Sequence, residues 1–137
     1  MKIADYEELI LAAILHNPDN MRVVAPELGA DKFGQTSRRL IFETMLDLYV
    51  QKTPIDIPNL LHALGPVGAE KAGNEAYALS LKSKFQQLGV ESDIGLEAWA
   101  QIVDAAGRWR LLQQITGKAN DKLSALEHIM SEVDDIE

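Results

Sequence analysis

Apolar residues recur at intervals of three and four along almost the whole chain, which is the spacing of an amphipathic helix. No stretch of six residues alternates strictly between polar and apolar positions, and β-branched and aromatic residues are few for the chain's length. The pattern therefore predicts an all-α fold, in which turn residues separate successive helices.

The first predicted helix is apolar on every side. Asp5 can cap its start, with Glu8 three residues later in the capping-box position. Residues 9–15 contain no polar side chain, and Pro18 limits the end of the helix. Because a helix that is apolar all round is buried all round, we expect this element at the centre of a bundle.

Shorter helices are predicted over the following residues. Phe33 is the one large apolar side chain of a connecting segment, so we expect it to enter the core. Glycine and proline at residues 65–73 predict a loop. Three helices are predicted before that loop and one after it, near residues 21–24, 38–50, 56–64 and 74–88.

The C-terminal part of the chain predicts two helices joined by a turn. Asp93 can cap a helix over about residues 96–116, Gly117 is placed as its stop, and helical spacing resumes at Leu123. Two amphipathic helices joined by a few residues form a helical hairpin. The sequence therefore predicts a globular helical head over residues 1–92 and a helical hairpin over residues 93–137, within one structural domain.

The predicted hairpin carries more apolar surface than two facing helices bury. Packing of the two helices on each other and on the head accounts for most of these side chains, but a stripe wider than one seam leaves apolar surface uncovered. Exposed apolar patches with aromatic anchors are typical association sites. The predicted self-association and partner-binding residues are Trp99, Ile102, Val103, Ala106, Trp109, Leu112, Leu123, Leu126, Met130 and Val133.

Length, composition and charge narrow the functional classes. The 137 residues fit one domain, and the lack of cysteine excludes disulfides and thiolate metal sites. No apolar run approaches the ~18 residues that span a bilayer, so we expect a cytoplasmic protein with no membrane partner. The net charge of −8 disfavours DNA or RNA binding by this chain alone. Residues 121–137 contribute −5 of that charge, from six acids and one base, which is typical of a solvated helix face or of a contact with a basic partner.

Residues that could support catalysis or ligand binding are scattered. The segment Gly65-Pro-Val-Gly-Ala-Glu-Lys71 lacks the spacing of a phosphate-binding loop. The three histidines lie on different predicted helices, and none has a second histidine three or four residues away that would build a metal site with it. Arg38 and Arg39 at a helix start could contact phosphate, but two arginines are too few to hold a duplex. We therefore expect no catalytic residue, no metal and no cofactor in this chain.

The order of these motifs resembles the N-terminal domain of DnaB-type replicative DNA helicases, over about residues 5–116. Ala12 stands where that family usually has glycine, and Ser37 stands where a histidine commonly precedes the arginine, which indicates a divergent member such as a phage or plasmid relative. The matching motifs are ELILAAIL at residues 8–15 with Pro18, Phe33, RLIFETMLDL at 39–48, PID at 54–56, GNEAY at 73–77, AWAQIV at 98–103 and RLL at 110–112.

The resemblance implies a helical head followed by a hairpin whose pairing forms dimers, with three dimers in the collar of a hexameric ring. In the family, that collar receives the helicase-binding domain of primase and, in some systems, a helicase loader. ATP, Mg²⁺ and DNA bind a C-terminal motor domain that these residues do not include. The resemblance thus implies a homo-oligomeric, non-catalytic collar domain of an ATP-dependent DNA helicase.

Two other functions remain open at this point. The helicase-binding domain of a primase has a similar helical fold, but it predicts a catalytic region upstream, whereas Met1 is a plausible initiator. A stand-alone adaptor or inhibitor with the same fold would be encoded without any motor. The sequence that follows Glu137 in the gene distinguishes these alternatives, because a helicase would show a Walker-type phosphate loop there.

Overall fold

The computed structural model describes the backbone of residues 2–88 and 95–136 and the side chains of residues 2–86 and 95–117. Within those ranges the chain is all-α and contains no strand, which confirms the predicted fold class. Two compact units are distinguished, residues 1–107 and residues 108–137. The helices are α1 (Ile3–His16), α2 (Met21–Val24), α3 (Thr36–Val50), α4 (Ile57–Lys71), α5 (Asn74–Leu88) and α6 (Leu96–Ile136), with 3₁₀ turns at Pro18–Asn20 and Ala30–Lys32.

Helix α1 lies at the centre of the first unit, as its apolar sequence predicts. Every side chain of residues 9–15 is buried, and α1 packs against both α3 and α5. The helix begins two residues before the predicted cap, because the Asp5 carboxylate accepts a hydrogen bond from the backbone N–H of Lys2 at 2.9 Å. That bond holds the pKa of Asp5 below its usual value.

Aromatic packing continues the core outward from α1. Phe33 is fully buried, as predicted, and its ring centroid lies 4.9 Å from that of Phe42 on α3. The His16 ring at the end of α1 lies 4.8 Å from the Phe85 ring of α5. These contacts join the connecting segment, α3 and α5 to the central helix.

The glycine-rich segment predicted as a loop is helical, with one kink. Helix α4 runs to Lys71 and departs from helical geometry at Gly65, where φ is +71°. Glycine adopts this left-handed conformation without a Cβ clash. Pro66 follows the kink, where a missing backbone N–H costs least because the helix restarts there. The prediction of a loop over residues 65–73 is therefore wrong except at the kink and at residues 72–73, which form the turn between α4 and α5 and where Gly73 has a φ of +90°.

The predicted hairpin is wrong for the backbone, because α6 continues without a turn from Leu96 to Ile136. Gly117 does not adopt a positive φ, and no proline follows Pro66 in the sequence. A glycine inside a helix costs about 1 kcal/mol, which by itself does not end the helix. The predicted boundary between residues 92 and 93 lies outside the described residues, and the first turns of α6 belong to the first unit.

Candidate protein-interaction surface

The first three turns of α6 pack onto the core of the first unit. Leu96, Ala100 and Val103 are buried there, at intervals of four and three residues. Val103, which the sequence analysis assigns to an association surface, is therefore a core residue of its own unit. Val103 is buried because the apolar stripe along α6 includes a face that packs against the head of the same chain.

The other predicted residues of this segment differ in exposure. Trp99 is partly buried and packs against the core, and Ala106 is also partly buried. Ile102 is 36% exposed. Within the first unit, Ile102 is therefore the predicted residue with the most surface left for a partner.

Gly107, which is not among the residues predicted from the sequence, sets how closely α6 approaches the head. A Cβ at this position would lie 2.7 Å from the backbone Cα and carbonyl oxygen of Lys32. Because backbone atoms cannot swing aside as a flexible side chain does, only glycine fits without a shift. An isolated glycine inside a helical pattern is the signal that could have found it.

Three large apolar side chains are exposed on the second unit. Trp109 is 62% exposed, Leu112 is 54% exposed and Ile115 is 65% exposed. We call these three residues the α6 patch. Ile115 is absent from the predicted set, although its position three residues after Leu112 places it next to that side chain on a helix.

The surface beside the α6 patch is shallow and mostly apolar. A depression of about 370 Å³ is lined by residues of this unit alone. Full burial of a side chain of this kind contributes about 1.5–3 kcal/mol, so a partner that covers the α6 patch gains several kcal/mol. The lining residues are Trp109, Leu112, Gln113, Thr116 and Gly117.

Four predicted residues follow this depression in the chain. Their backbone continues α6, whereas their side chains lie outside the described residues. They therefore stay predictions from the sequence. They are Leu123, Leu126, Met130 and Val133.

Arg38 is an internal structural residue. Its guanidinium donates from Nη2 to Glu7 Oε2 at 3.1 Å and from Nη1 to Gln35 Oε1 at 2.9 Å. Glu7 also accepts the backbone N–H of Gly34. Glu7 and Arg38 are 1% and 7% exposed, so this ion pair joins α1 to α3 inside the core. Arg38 is thus not available to phosphate.

A second, more exposed polar network joins α5 to α1. Lys84 lies 3.1 Å from Glu8 and 3.4 Å from Asp5, and the Tyr77 hydroxyl donates to Glu8 at 3.2 Å. Burial raises the pKa of the Tyr77 hydroxyl above its usual value, and the carboxylate of Glu8 acts in the same direction. The network fixes one face of α5 on the central helix.

The grooves on the surface of the first unit include two that adjoin α4. One, of about 450 Å³ between α3 and α4, is lined by polar side chains that include Asp47, Gln51 and His62. The other, of about 460 Å³ between α4 and α5, includes Leu61 and the 48% exposed Leu79, with acidic and basic side chains at its rim.

The described side chains contain no group of three or more histidine, aspartate or glutamate residues that could hold a metal ion. Among the same residues, no helix combines the length and the apolar composition that a membrane span requires. Protein contact is the chemistry that the exposed surface of α6 supports best.

Comparison with known proteins identifies relatives of this fold. The family model of the DnaB-like helicase N-terminal domain matches residues 2–105. Among solved structures, the N-terminal domain of DnaB helicase from Mycobacterium tuberculosis aligns with a TM-score of 0.74 at 21% sequence identity. That alignment covers 88% of this chain and 84% of the mycobacterial one. No curated protein matches the chain significantly.

Proposed function

The chain belongs to the DnaB-like helicase N-terminal domain family, and from that premise we propose that it serves as an oligomerisation and partner-docking collar of a replicative DNA helicase. The domain of this family is non-catalytic. ATP hydrolysis, Mg²⁺ binding and DNA translocation would belong to a motor domain of the same helicase. Such a role would place the protein with the replication machinery in the cytoplasm.

The observation that carries this proposal is the exposed α6 patch. Trp109, Leu112 and Ile115 leave more than half of their surfaces in water, although each gains free energy on burial. A helix that has no partner in its own unit draws its stability from the surface that it meets. Self-association of the collar would provide that surface, as a dimer or within a hexamer.

A primase or a helicase loader is the proposed second class of partner. The groove between α4 and α5 offers exposed apolar side chains with a charged rim, which is the usual composition of a protein-docking surface. A helicase-binding domain of a primase and a stand-alone adaptor are the alternative identities. The gene sequence beyond codon 137 separates them, since a phosphate-binding loop there favours the helicase.

Sedimentation equilibrium tests the self-association directly. Replacing Trp109 and Met130 together with glutamate places charge on the association surface while leaving the head intact. We expect the dimer dissociation constant to rise roughly thirtyfold or more, because loss of an aromatic hot spot costs about 2 kcal/mol or more. Gln114→Glu adds charge at another exposed position of the same helix and should leave the constant nearly unchanged.

The proposal fails if the unaltered chain sediments as a monomer up to millimolar concentration. It fails equally if Gln114→Glu weakens association as strongly as the double replacement does. Far-UV circular dichroism of each variant establishes that the head remains folded, so a loss of association is not a loss of structure.

A further inference from the structure

The second half of α4 lies between two glycines in left-handed conformations. Gly65 has a φ of +71°, and Gly73, just after the end of the helix, has a φ of +90°. Glycine lets the chain change direction in this region of φ without a Cβ clash. A Cβ added at Gly65 would meet no atom within 4 Å, so the space beside this glycine is open. We call residues 66–72, which lie between the two glycines, the α4 strap.

The α4 strap has little contact with the core. Ala72 is its one buried residue, and the burial of a single methyl group contributes little free energy. Gly68 and Ala69 are partly buried, and neither has a larger side chain. Packing therefore stabilises the strap less than the first half of α4, where Leu60 is buried and Leu64 packs against the core. The remaining residues of the strap are exposed, namely Pro66, Val67, Glu70 and Lys71.

Hydrogen bonds within the α4 strap do not compensate for this weak packing. Its helical part covers residues 66–71, and the helix closes with a bond from the N–H of Ala72 to the carbonyl oxygen of Gly68 at 2.9 Å. Pro66 has no N–H to donate. Isolated helices shorter than about 12 residues are marginal in water. A segment this short, separated from the rest of α4 by a kink, does not hold its helical conformation alone.

We infer that the α4 strap is a hinged element, which opens while the rest of the first unit stays folded. Gly65 and Gly73 are the hinges, because glycine at the end of an element absorbs changes of φ and ψ at little cost. Segments with few buried contacts open at a lower free energy than the core beside them. The inference concerns the first unit alone and holds whether or not a partner docks there.

Opening of the α4 strap changes the groove between α4 and α5. Gly68 lies beside Leu64, since a Cβ added at Gly68 would be 3.4 Å from the Cβ of Leu64. Leu64 follows Leu61, which lines the groove, by three residues, so the two side chains are neighbours on the helix. Departure of the strap exposes more of Leu64 and extends the apolar surface of the groove. The strap thus regulates how much apolar surface this groove presents.

Thiol labelling tests the opening, because the chain has no cysteine of its own. Ala72→Cys places a thiol in the strap, and Ala100→Cys places one in the core, where the two alanines are 3% and 0% exposed. A buried thiol is inert until the structure around it opens. With dithionitrobenzoate we expect Ala72→Cys to react at least about tenfold faster than Ala100→Cys, because local opening is more frequent than opening of the core.

Two further substitutions separate local opening from unfolding of the whole unit. Gly68→Ala favours the helix in the strap and fits at ordinary contact distance from Leu64, so Ala72→Cys should react about fivefold more slowly. Glu7→Gln weakens the core and should speed the labelling of Ala100→Cys without changing that of Ala72→Cys. An equal acceleration of both thiols overturns the inference, because Ala72 would then be reached only when the unit unfolds.

Hydrogen exchange of the unaltered chain provides the same test without a substitution. After correction for intrinsic rates, the amides of residues 68–72 should exchange at least about tenfold faster than those of residues 9–15 in α1. Equal protection of the two segments overturns the hinged strap. The proposed docking function is unaffected by that outcome, because it does not require the groove to change.

Discussion

At the scale of single residues, the buried ion pair of Glu7 and Arg38 should contribute strongly to stability, because either partner alone would be a buried charge. Glu7→Gln removes the negative charge and leaves the guanidinium buried without a counter-ion. Breaking such a pair from one side costs roughly 3–5 kcal/mol. We expect that loss in the free energy of unfolding, measured by urea denaturation at neutral pH.

Lys84, a cation of the same unit that is more exposed than Arg38, provides the control for this prediction. Lys84→Gln removes the cation shared by the ion pairs with Glu8 and Asp5, but its side chain is 34% exposed, so the loss should be only about 1 kcal/mol. Replacing both buried partners, as in Glu7→Leu with Arg38→Met, should restore part of the stability. A double variant less stable than Glu7→Gln would mean that packing, rather than the unpaired charge, dominates the cost.

The same pair shows what a sequence leaves open at residue level. Phe33 could be assigned to the core because an isolated large apolar side chain in a connecting segment has few other uses. Arg38 could not, since a basic residue in the first turn of a helix fits a phosphate contact as well as an ion pair. Only the position of Glu7, 31 residues earlier, decides between them.

At the scale of elements, two glycines of α6 have opposite roles, and one substitution distinguishes them. A Cβ at Gly107 meets the backbone of Lys32 at 2.7 Å, whereas a Cβ at Gly117 meets nothing within 4 Å. Gly107→Ala should destabilise the head, because overpacking costs about 1–3 kcal/mol against a helix-propensity gain of at most about 1 kcal/mol. Urea denaturation measures this change.

Gly117→Ala should have the opposite sign. In a continuous helix, alanine at this exposed position gains up to about 1 kcal/mol, and the helical signal in far-UV circular dichroism should persist to higher temperature. If position 117 were instead a turn with positive φ, alanine would be strained there and the helical signal would fall. A fall in the helical signal would therefore support the predicted hairpin and contradict a continuous α6.

These elements differ in how far their sequence determines them. Helix α1 is predictable because residues 9–15 have no polar side that could face water. The continuity of α6 past Gly117 is not predictable. The cost of a glycine inside a helix, about 1 kcal/mol, is small beside the contributions of packing, which the sequence does not display. The exposure of the residues predicted for association is predictable in part: Trp109 and Leu112 are exposed, whereas Val103 is buried against the head, whose position the sequence alone does not show.

At the scale of the whole molecule, charge predicts how the chain meets nucleic acid. The net charge is −8, and five of those charges fall within the last seventeen residues. Proteins that bind duplexes non-specifically gain free energy by releasing counterions from phosphate, which requires clustered lysine and arginine. We therefore expect no binding of a labelled DNA duplex below about 100 µM at physiological salt, measured by fluorescence anisotropy.

Measuring DNA binding at several salt concentrations tests this prediction more strictly than a single affinity does. Lowering the salt lengthens the range of electrostatic forces, so a basic surface would bind duplex DNA more tightly, whereas repulsion between two polyanions would only grow. The anisotropy of the duplex should accordingly stay flat as salt is reduced. A steep gain in affinity at low salt would show that a local basic surface outweighs the net charge, and contact with DNA would then have to be assigned to this chain itself.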